Sequence, residues 1–491
     1  MSRTFPSPAR PWVRRTDLIL KPDPGRVLLR PFHVANGGRA ARILSRLMAI
    51  SEENVEAHLA RVFEEFASRH ADLRTFLLEQ FERISGDLLT DAKLSEPRKL
   101  LIGAHFSHEY ALEAAALFNP SIVAHPDQSE APEGALRFLL SLRSTGEGHV
   151  SSISFRTGLI AADGAIAVDP PGKYSRSGRT KPSVSYEKRL FRRKLQELGL
   201  IQSLAERVLA ALGETFSFSD LNGAVDRVCR DAGFRAPNQS HEARGILLLA
   251  RSNYETRFAP EAPLSEKVLF PHGPAEINGM EDARFVRFQQ DDGTFVYYAT
   301  YTAYDGRVAI PQLLETCDFE TFRMSSLNGP AVQNKGLALF PRKINGLYAM
   351  LSRQDNENIF LMYSDLLHFW YEPRLLARPT FPWEFIQLGN CGSPIELPEG
   401  WLVLTHGVGP MREYAIGAML LDAEDPSRVI GRLPEPLLTA TAAERKGYVP
   451  NVVYSCGSLV HAARLILPYA MSDQAAGFAT VDLDGLLAAL R

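Results

Sequence analysis

Five apolar segments, each running into a polar residue and a turn, recur along the chain at residues 139–143, 298–302, 348–353, 402–406 and 465–469. The second, third and fourth stand roughly fifty residues apart, the interval of a four-stranded propeller blade. Five such units predict a mainly β fold, a five-bladed β-propeller in which each unit brings the end of an inner strand to one axial pocket. A β-sandwich is the structural alternative, but its strand pairs are not bound to this interval.

The N-terminal part follows another period. After a strand-like entry at residues 27–32, residues 38–117 read as helical. Val55, Leu59, Val62 and Phe66 recur at helical spacing behind Ser51, a candidate N-cap, and Leu73, Phe76, Leu77, Phe81 and Ile84 form a second stripe. An alanine-rich stretch over 110–117 ends at Asn119-Pro120, a stop signal. Residues 165–182 are loop-like and lead into a basic helix whose Lys188, Arg189, Arg192, Arg193 and Lys194 read as a solvated face. The expected organisation is a mostly helical region over 1–117 and a propeller over 118–491, interrupted by a helical insertion at about 165–240.

A net charge of -3 offers no footprint for nucleic acid or an anionic membrane, so any anion site must be local. No run of eighteen apolar residues occurs, and the opening Met1-Ser2-Arg3-Thr4-Phe5-Pro6 lacks the apolar core of a signal peptide. Cys229, Cys317, Cys391 and Cys456 show no metal-ligand spacing and read as reduced thiols of a cytoplasmic protein.

The chemistry concentrates around Asn278-Gly279-Met280-Glu281-Asp282-Ala283-Arg284, a turn that feeds an apolar strand. One projecting carboxylic acid is the first requirement of glycosidic bond cleavage, and Asp282 is the candidate. Alternation along an extended segment turns Glu281 away from it, toward Arg284 or a backbone donor. An Asx-type turn is the structural alternative for Asp282. Arg143, Arg353, His406 and Asp473 occupy corresponding points in other units and converge with it. Tyr297, Tyr298, Tyr301, Tyr304, Trp383 and Trp401 are candidates for sugar stacking, and residues 145–149 read as a substrate-side loop.

These motifs resemble the β-mannoside phosphorylase family, whose members are five-bladed propellers acting on β-mannosides. The Gly279–284 turn is similar to that family's Gly-x-Glu-Asp-Pro-Arg, with Ala283 in place of proline. Further likenesses follow in order at residues 339–348, 400–407, 417–422 and 468–473. The resemblance implies that Asp282 is the catalytic acid, donating through the substrate's own 3-hydroxyl. It implies phosphate binding by Arg353, His406 and the Asn334-Lys335 pair, and sugar binding by Asn119, Arg143 and Asp473. Gln387 stands where a lysine is expected, and Arg412 is a further phosphate candidate.

The implied reaction is inverting phosphorolysis of a β-mannoside to α-mannose 1-phosphate, with inorganic phosphate as co-substrate and no metal or organic cofactor. The implied partners are a mannoside oligosaccharide and phosphate, without nucleic acid or membrane, and a homo-oligomer stays open. An inverting β-mannosidase would instead need a second carboxylate such as Glu396 or Asp473, roughly 6.5–9.5 Å from the first, to activate water. A non-catalytic carbohydrate-binding propeller is the third alternative.

Overall fold

Strand-forming segments rich in Val, Ile, Leu, Phe and Tyr dominate a computed structural model that describes residues 12–34, 37–87, 93–182, 185–306 and 308–490. The opening segment 1–6 therefore lies outside the described residues. Five antiparallel runs of four strands succeed one another. The first is Ala116–Ala124, Leu136–Thr145, Ser151–Ile160 and Ile166–Val168. The second is Gly279–Gln289, Phe295–Tyr304, Ala309–Thr316 and Thr321–Ser326. The third is Ala338–Leu339, Tyr348–Ser352, Ile359–Ser364 and Pro373–Ala377. The fourth is Gln387–Asn390, Gly400–Val408, Tyr414–Leu421 and Val429–Arg432.

The fifth run is completed from the far end of the chain. Val453–Tyr454, Arg464–Met471 and Ala475–Asp482 supply three strands, and Val13–Leu20 pairs antiparallel with Ala475–Asp482 as the fourth. The sequence reading assigned these residues to a helical region. Their polar alternation is that of an edge strand with one buried face, a pattern too short to stand out alone. Each of the five apolar segments read from the sequence is the second strand of its run rather than the innermost. Second strands are paired on both sides within their runs, which favours apolar residues there.

Four helices, Gly37–Ala49, Glu52–Phe66, Leu73–Ile84 and Glu96–His105, form the N-terminal layer, and Ser51 caps the second by accepting from the Asn54 amide. Helix ends at His105, however. Residues 107–111 pair with Val27–Pro31, and Ala116–Ala124 opens the first run, so the helical reading of 106–117 is corrected. Alanine content there suggested helix, but Ala111 and Ala116 lie at strand ends and Ala114 and Ala115 on the exposed turn between them.

The insertion holds four more helices, Lys188–Glu197, Ser203–Ala210, Phe218–Asp231 and His241–Arg251, so it extends beyond residue 240. Phe191, Leu195, Leu209, Val225 and Ile246 give it a core of its own. Its basic face is not simply solvated: Arg193 lies over Phe369 at 3.7 Å and donates to the Tyr371 hydroxyl at 2.6 Å, and Lys194 donates to the Leu327 carbonyl. Short strands at Arg176–Ser177 and Arg179–Pro182 replace part of the expected loop. Among the described residues no helix is long and apolar enough to cross a membrane, and the four cysteines carry no disulfide.

Candidate active site

Two β-bulges open the site. In Gly279–Gln289 the register shifts between Glu281 and Arg284, and Asp282 takes a left-handed φ of 55°. In Ala116–Ala124 it shifts between Phe118 and Ser121, with Asn119 at 48°. Asp and Asn enter this region more readily than most residues, and bulges re-aim side chains next to functional sites. Ser121 Oγ accepts from the Phe285 amide at 3.1 Å, which ties the two bulges together.

The bulge overturns the expected alternation. Glu281 and Asp282 both reach Arg143, whose Nη2 donates to Glu281 Oε1 at 2.7 Å and whose Nη1 donates to Asp282 Oδ1 at 3.1 Å. Lys335 Nζ donates to the other Glu281 oxygen at 2.7 Å. Glu281 is thus the partner of Arg143 and Lys335, not of Arg284. Asn119 Nδ2 donates to Asp282 Oδ1 at 2.6 Å, while its own Oδ1 is buried without a partner.

These contacts set the charge of the acid. Burial acts to raise the pKa of Asp282, but Arg143, Arg284 and Lys335 outweigh it and, with the Asn119 bond, hold it at about 2. Asp473, at φ 52° on the turn after Arg464–Met471, goes the other way: burial and the Asp282 charge raise it to about 6 against the pull of Arg143 and Arg412. Carboxyls driven apart in this way are suited to different roles in one site.

The cationic half lies beside them. Arg353, only 8% exposed, places Nη1 3.0 Å from His406 Nε2, and His406 Nδ1 is 3.2 Å from the Asn390 carbonyl oxygen. A guanidinium only donates, so Nε2 accepts and Nδ1–H donates to the carbonyl; the imidazole is neutral. Burial first, then Arg353 and Arg284, push the His406 pKa well down, in agreement with that tautomer. The Gln387 carboxamide abuts the Arg353 guanidinium, and hydrogen-bond chemistry assigns its oxygen, not its nitrogen, to that side. Gly389 must be glycine here, because a Cβ would collide with the His406 ring and crowd Arg353 Nη1.

Arg284 joins the two halves. It is 2% exposed, donates from Nη1 to the Asp282 carbonyl oxygen at 3.1 Å and from Nη2 to the Tyr454 hydroxyl at 2.6 Å, and its Nε is buried without a partner. Among the described residues neither Arg284 nor Arg353 forms an ion pair. Burial opposes the charge of Arg284, but Asp282 lies within electrostatic reach and raises its pKa, whereas burial lowers that of Arg353.

The structure therefore brings Asn119, Arg143, Asp282 and Lys335 into one bonded network and Arg353 with His406 into another, and it places Asp473 within electrostatic reach of the first. Asn334, at φ 63°, precedes Lys335 on the same rim. Sequence reasoning missed Arg284, whose motif position was visible but whose partner was misjudged. It also missed Asn390 and Tyr454, which carried no signal. Tyr297, Tyr298, Tyr301 and Trp401 are core residues rather than sugar platforms, and Trp383 packs over Gly407 and Gly417. Glu396 lies in the short strand Ile395–Leu397, opposite Trp401 at the far end of Gly400–Val408 from His406, where Arg342 binds it, and is corrected as a base for water. No group of three or more His, Cys, Asp or Glu among the described residues is arranged to hold a metal ion.

An acid network thus stands beside buried cations, and comparison with known proteins names the family of the chain. A family model described as β-1,4-mannooligosaccharide phosphorylase matches residues 233–491, just over half of the chain. The chain belongs to that family, glycoside hydrolase family 130, and is an enzyme. Asp282, Lys335, Arg353, His406 and Asp473 lie inside the matched span, whereas Asn119 and Arg143 precede it.

Among curated relatives, the 1,2-β-oligomannan phosphorylase of Thermoanaerobacter sp. (strain X514) is 35% identical over 228 residues, 45% of this chain and 74% of that protein. The β-1,2-mannobiose phosphorylase of the same organism is 34% identical over 220 residues, 44% of this chain and 70% of that one. Among solved structures, the β-1,2-mannobiose phosphorylase of Listeria innocua in complex with β-1,2-mannobiose is 21% identical, with a TM-score of 0.46 over 77% of this chain and 92% of that one.

Proposed function

We propose that this enzyme is an inverting glycoside phosphorylase that cleaves β-mannosides with inorganic phosphate, giving α-mannose 1-phosphate and a shortened sugar. One observation carries the reading: Arg353, buried beside Arg284 and steered by neutral His406 and Gln387, forms no ion pair with a carboxylate among the described residues. A phosphate dianion supplies the missing charge and accepts from a planar fork of donors. The relatives named above are phosphorylases of β-mannosides, which supports the same chemistry here.

In this scheme phosphate attacks the anomeric carbon as the glycosidic C–O bond breaks, and the departing oxygen takes a proton delivered from Asp282 through the substrate's 3-hydroxyl. Before phosphate arrives Asp282 is ionised, because three cations surround it. Negative charge arriving at Arg353 and Arg284 raises the Asp282 pKa, so its carboxylate takes up a proton and passes it on through the 3-hydroxyl, while the attacking hydrogen phosphate gives up its own proton on becoming the ester, which balances the step. Arg143, Asn119 and Asp473 hold sugar hydroxyls; Lys335 and Asn334 line the phosphate side, with Lys335 shared with Glu281.

A specific observation favours hydrolysis as a second reading. Gln387 stands where the family resemblance calls for a lysine, and the Asp473 carboxyl, raised to about 6 by burial and the Asp282 charge, supports a base acting on water. Product formation from β-mannobiose with and without phosphate separates the two. Phosphate-dependent release of mannose 1-phosphate is expected, and an equal rate of free mannose release without phosphate refutes phosphorolysis.

The finer architecture belongs to the same reading. The five four-stranded runs are taken as blades of a five-bladed propeller around the site, with Val13–Leu20 closing the ring. The boundary between the helical region over 1–117 and the propeller over 118–491 then excludes that strand, which belongs to the last blade. A mannoside oligosaccharide and phosphate are the partners in this reading.

A further inference from the structure

Tyr110 stands where the N-terminal helical layer meets the first run of strands. Helix Glu96–His105 leads through Phe106 into Ser107–Ala111, and that strand pairs with Val27–Pro31. Tyr110 and Leu28 are partners in this pair and form a small core with Leu112 and Val268, onto which Val150 and Phe270 pack. The Tyr110 ring meets Phe270 edge-on, with centroids 5.1 Å apart. Its hydroxyl shares one proton between the Glu147 carbonyl at 3.1 Å and the Val150 carbonyl at 3.0 Å. Burial and then the Glu147 charge push its pKa up to about 12, so it stays a donor.

The turn that Tyr110 grips holds itself less firmly. Its own backbone bonds are 3.2 Å from the Gly146 amide to the Val150 carbonyl and 3.5 Å from the Val150 amide to the Glu147 carbonyl. Hydrogen bonds weaken with length, so the firmer anchor comes from outside the turn. Gly146 permits the contact: a Cβ there would stand 2.2 Å from the Ala111 carbonyl oxygen and 2.7 Å from the Tyr110 hydroxyl. From this turn a bonded path runs to the acid. Thr145 and Ser151 flank it with their hydroxyls 3.1 Å apart, and Ser151 Oγ accepts from Arg143 Nε at 2.8 Å. The other two nitrogens of that guanidinium are the ones bound to Asp282 and Glu281. A guanidinium is a planar, rigid fork, so fixing Nε fixes the direction of the whole group. Ser151 also pairs with Gly279, at the start of the strand that bulges at Asp282.

Resting on the reading of Asp282 as the acid, we infer that Tyr110 is a positioning residue for the reaction: it fixes the turn over residues 146–150 and, through Ser151, holds Arg143 in the plane that serves Asp282 and Glu281. The N-terminal helical layer thereby sets the geometry of the acid without touching substrate. Tyr110, Arg143 and Ser151 all precede the span that the family model matches, so this support comes from a part of the chain outside it.

The test is a double-mutant cycle on kcat for β-mannobiose, using Tyr110→Phe, Ser151→Ala and the two combined. Tyr110→Phe keeps the ring on Phe270 and removes only the hydroxyl, so the variant folds. Each single substitution should lower kcat on the order of tenfold, as small misplacements of reacting groups do, with the phosphate KM within about twofold of wild type because Arg353 and His406 form a separate network. The double variant should be within about twofold of the slower single one, since both residues lie on one path. A kcat for Tyr110→Phe within about twofold of wild type, at whatever Tm, overturns the proposal and leaves Tyr110 a merely structural residue. A double variant whose loss is the product of the two single losses overturns it too, as does a rise in phosphate KM matching the fall in kcat. The phosphate dependence of the wild-type rate tests the underlying reaction separately. If wild type releases free mannose without phosphate, the same cycle on that rate still decides the role of Tyr110, because both reactions use Asp282.

Discussion

At the scale of single residues, the site divides its labour by giving two carboxyls opposite surroundings. Asp282, pinned by Arg143 and Asn119, stays ionised down to about pH 2, whereas Asp473 holds its proton to about pH 6. Asp282→Asn should lower kcat by at least about a hundredfold, the usual share of general acid catalysis, while calorimetry still registers sugar binding. Retained turnover would remove Asp282 from the reaction. For Asp473 the linkage runs against the fold: its folded pKa of about 6 exceeds the ordinary 3.8. The native state keeps a proton that the unfolded chain has lost, so this contribution is full below about pH 4 and disappears as pH rises through 6. Asp473→Asn should therefore flatten that part of the pH–stability curve by an amount on the order of 2 kcal/mol. Urea unfolding at pH 4.5 and 7 is the measurement. Asp282 behaves in the opposite sense, stabilising above about pH 4 and losing that contribution on acidification toward 2.

At the scale of elements, bulges and borrowed strands matter more than regular structure. Without the register shift at Asp282, Glu281 would face away from Arg143 and the acid network would not exist. The strand Val13–Leu20 covers the edge of Ala475–Asp482, which otherwise presents a row of unpaired backbone groups. Its Leu18 and Leu20 also pack against the core of the first and fifth runs. A variant lacking residues 1–20 should lose several degrees of Tm and aggregate on heating, read by scattering during a thermal ramp. Unchanged Tm and clear solution would show that this strand closes nothing.

At the scale of the whole molecule, folding encloses a guanidinium, Arg353, that forms no ion pair among the described residues. Arg353 is buried, and desolvation acts first to lower its pKa. Breaking no ion pair, Arg353→Met should leave the phosphate-free protein as stable as wild type or more so. Phosphate at a hundred times its Kd should stabilise wild type by about 2.7 kcal/mol, and the variant by close to nothing. Equal phosphate-induced shifts in both proteins would place the anion elsewhere. The same accounting explains why His406 serves here as a neutral acceptor: a third cation beside Arg284 and Arg353 would cost too much where so little water remains.

Much of this was written along the chain. The second strands announced themselves because sheet on both sides demands an unbroken apolar run, and Asp282, Arg353, His406 and Asp473 followed from their recurrence at strand ends. The turn carrying Asp282 was legible too, since glycine, acidic and basic residues there have few other uses. Three-dimensional packing settled the rest. A left-handed residue reverses the faces of its neighbours, so Glu281 exchanged Arg284 for Arg143 and Lys335, contacts 138 and 54 residues distant. An edge strand such as Val13–Leu20 is marginal by itself and takes its form from the partner it meets at the other end of the chain, where Val13 pairs with Val481 and Leu20 with Ala476. The charge state of each acid and of His406 depends on burial and on groups drawn from separate runs, quantities that no local stretch of sequence contains.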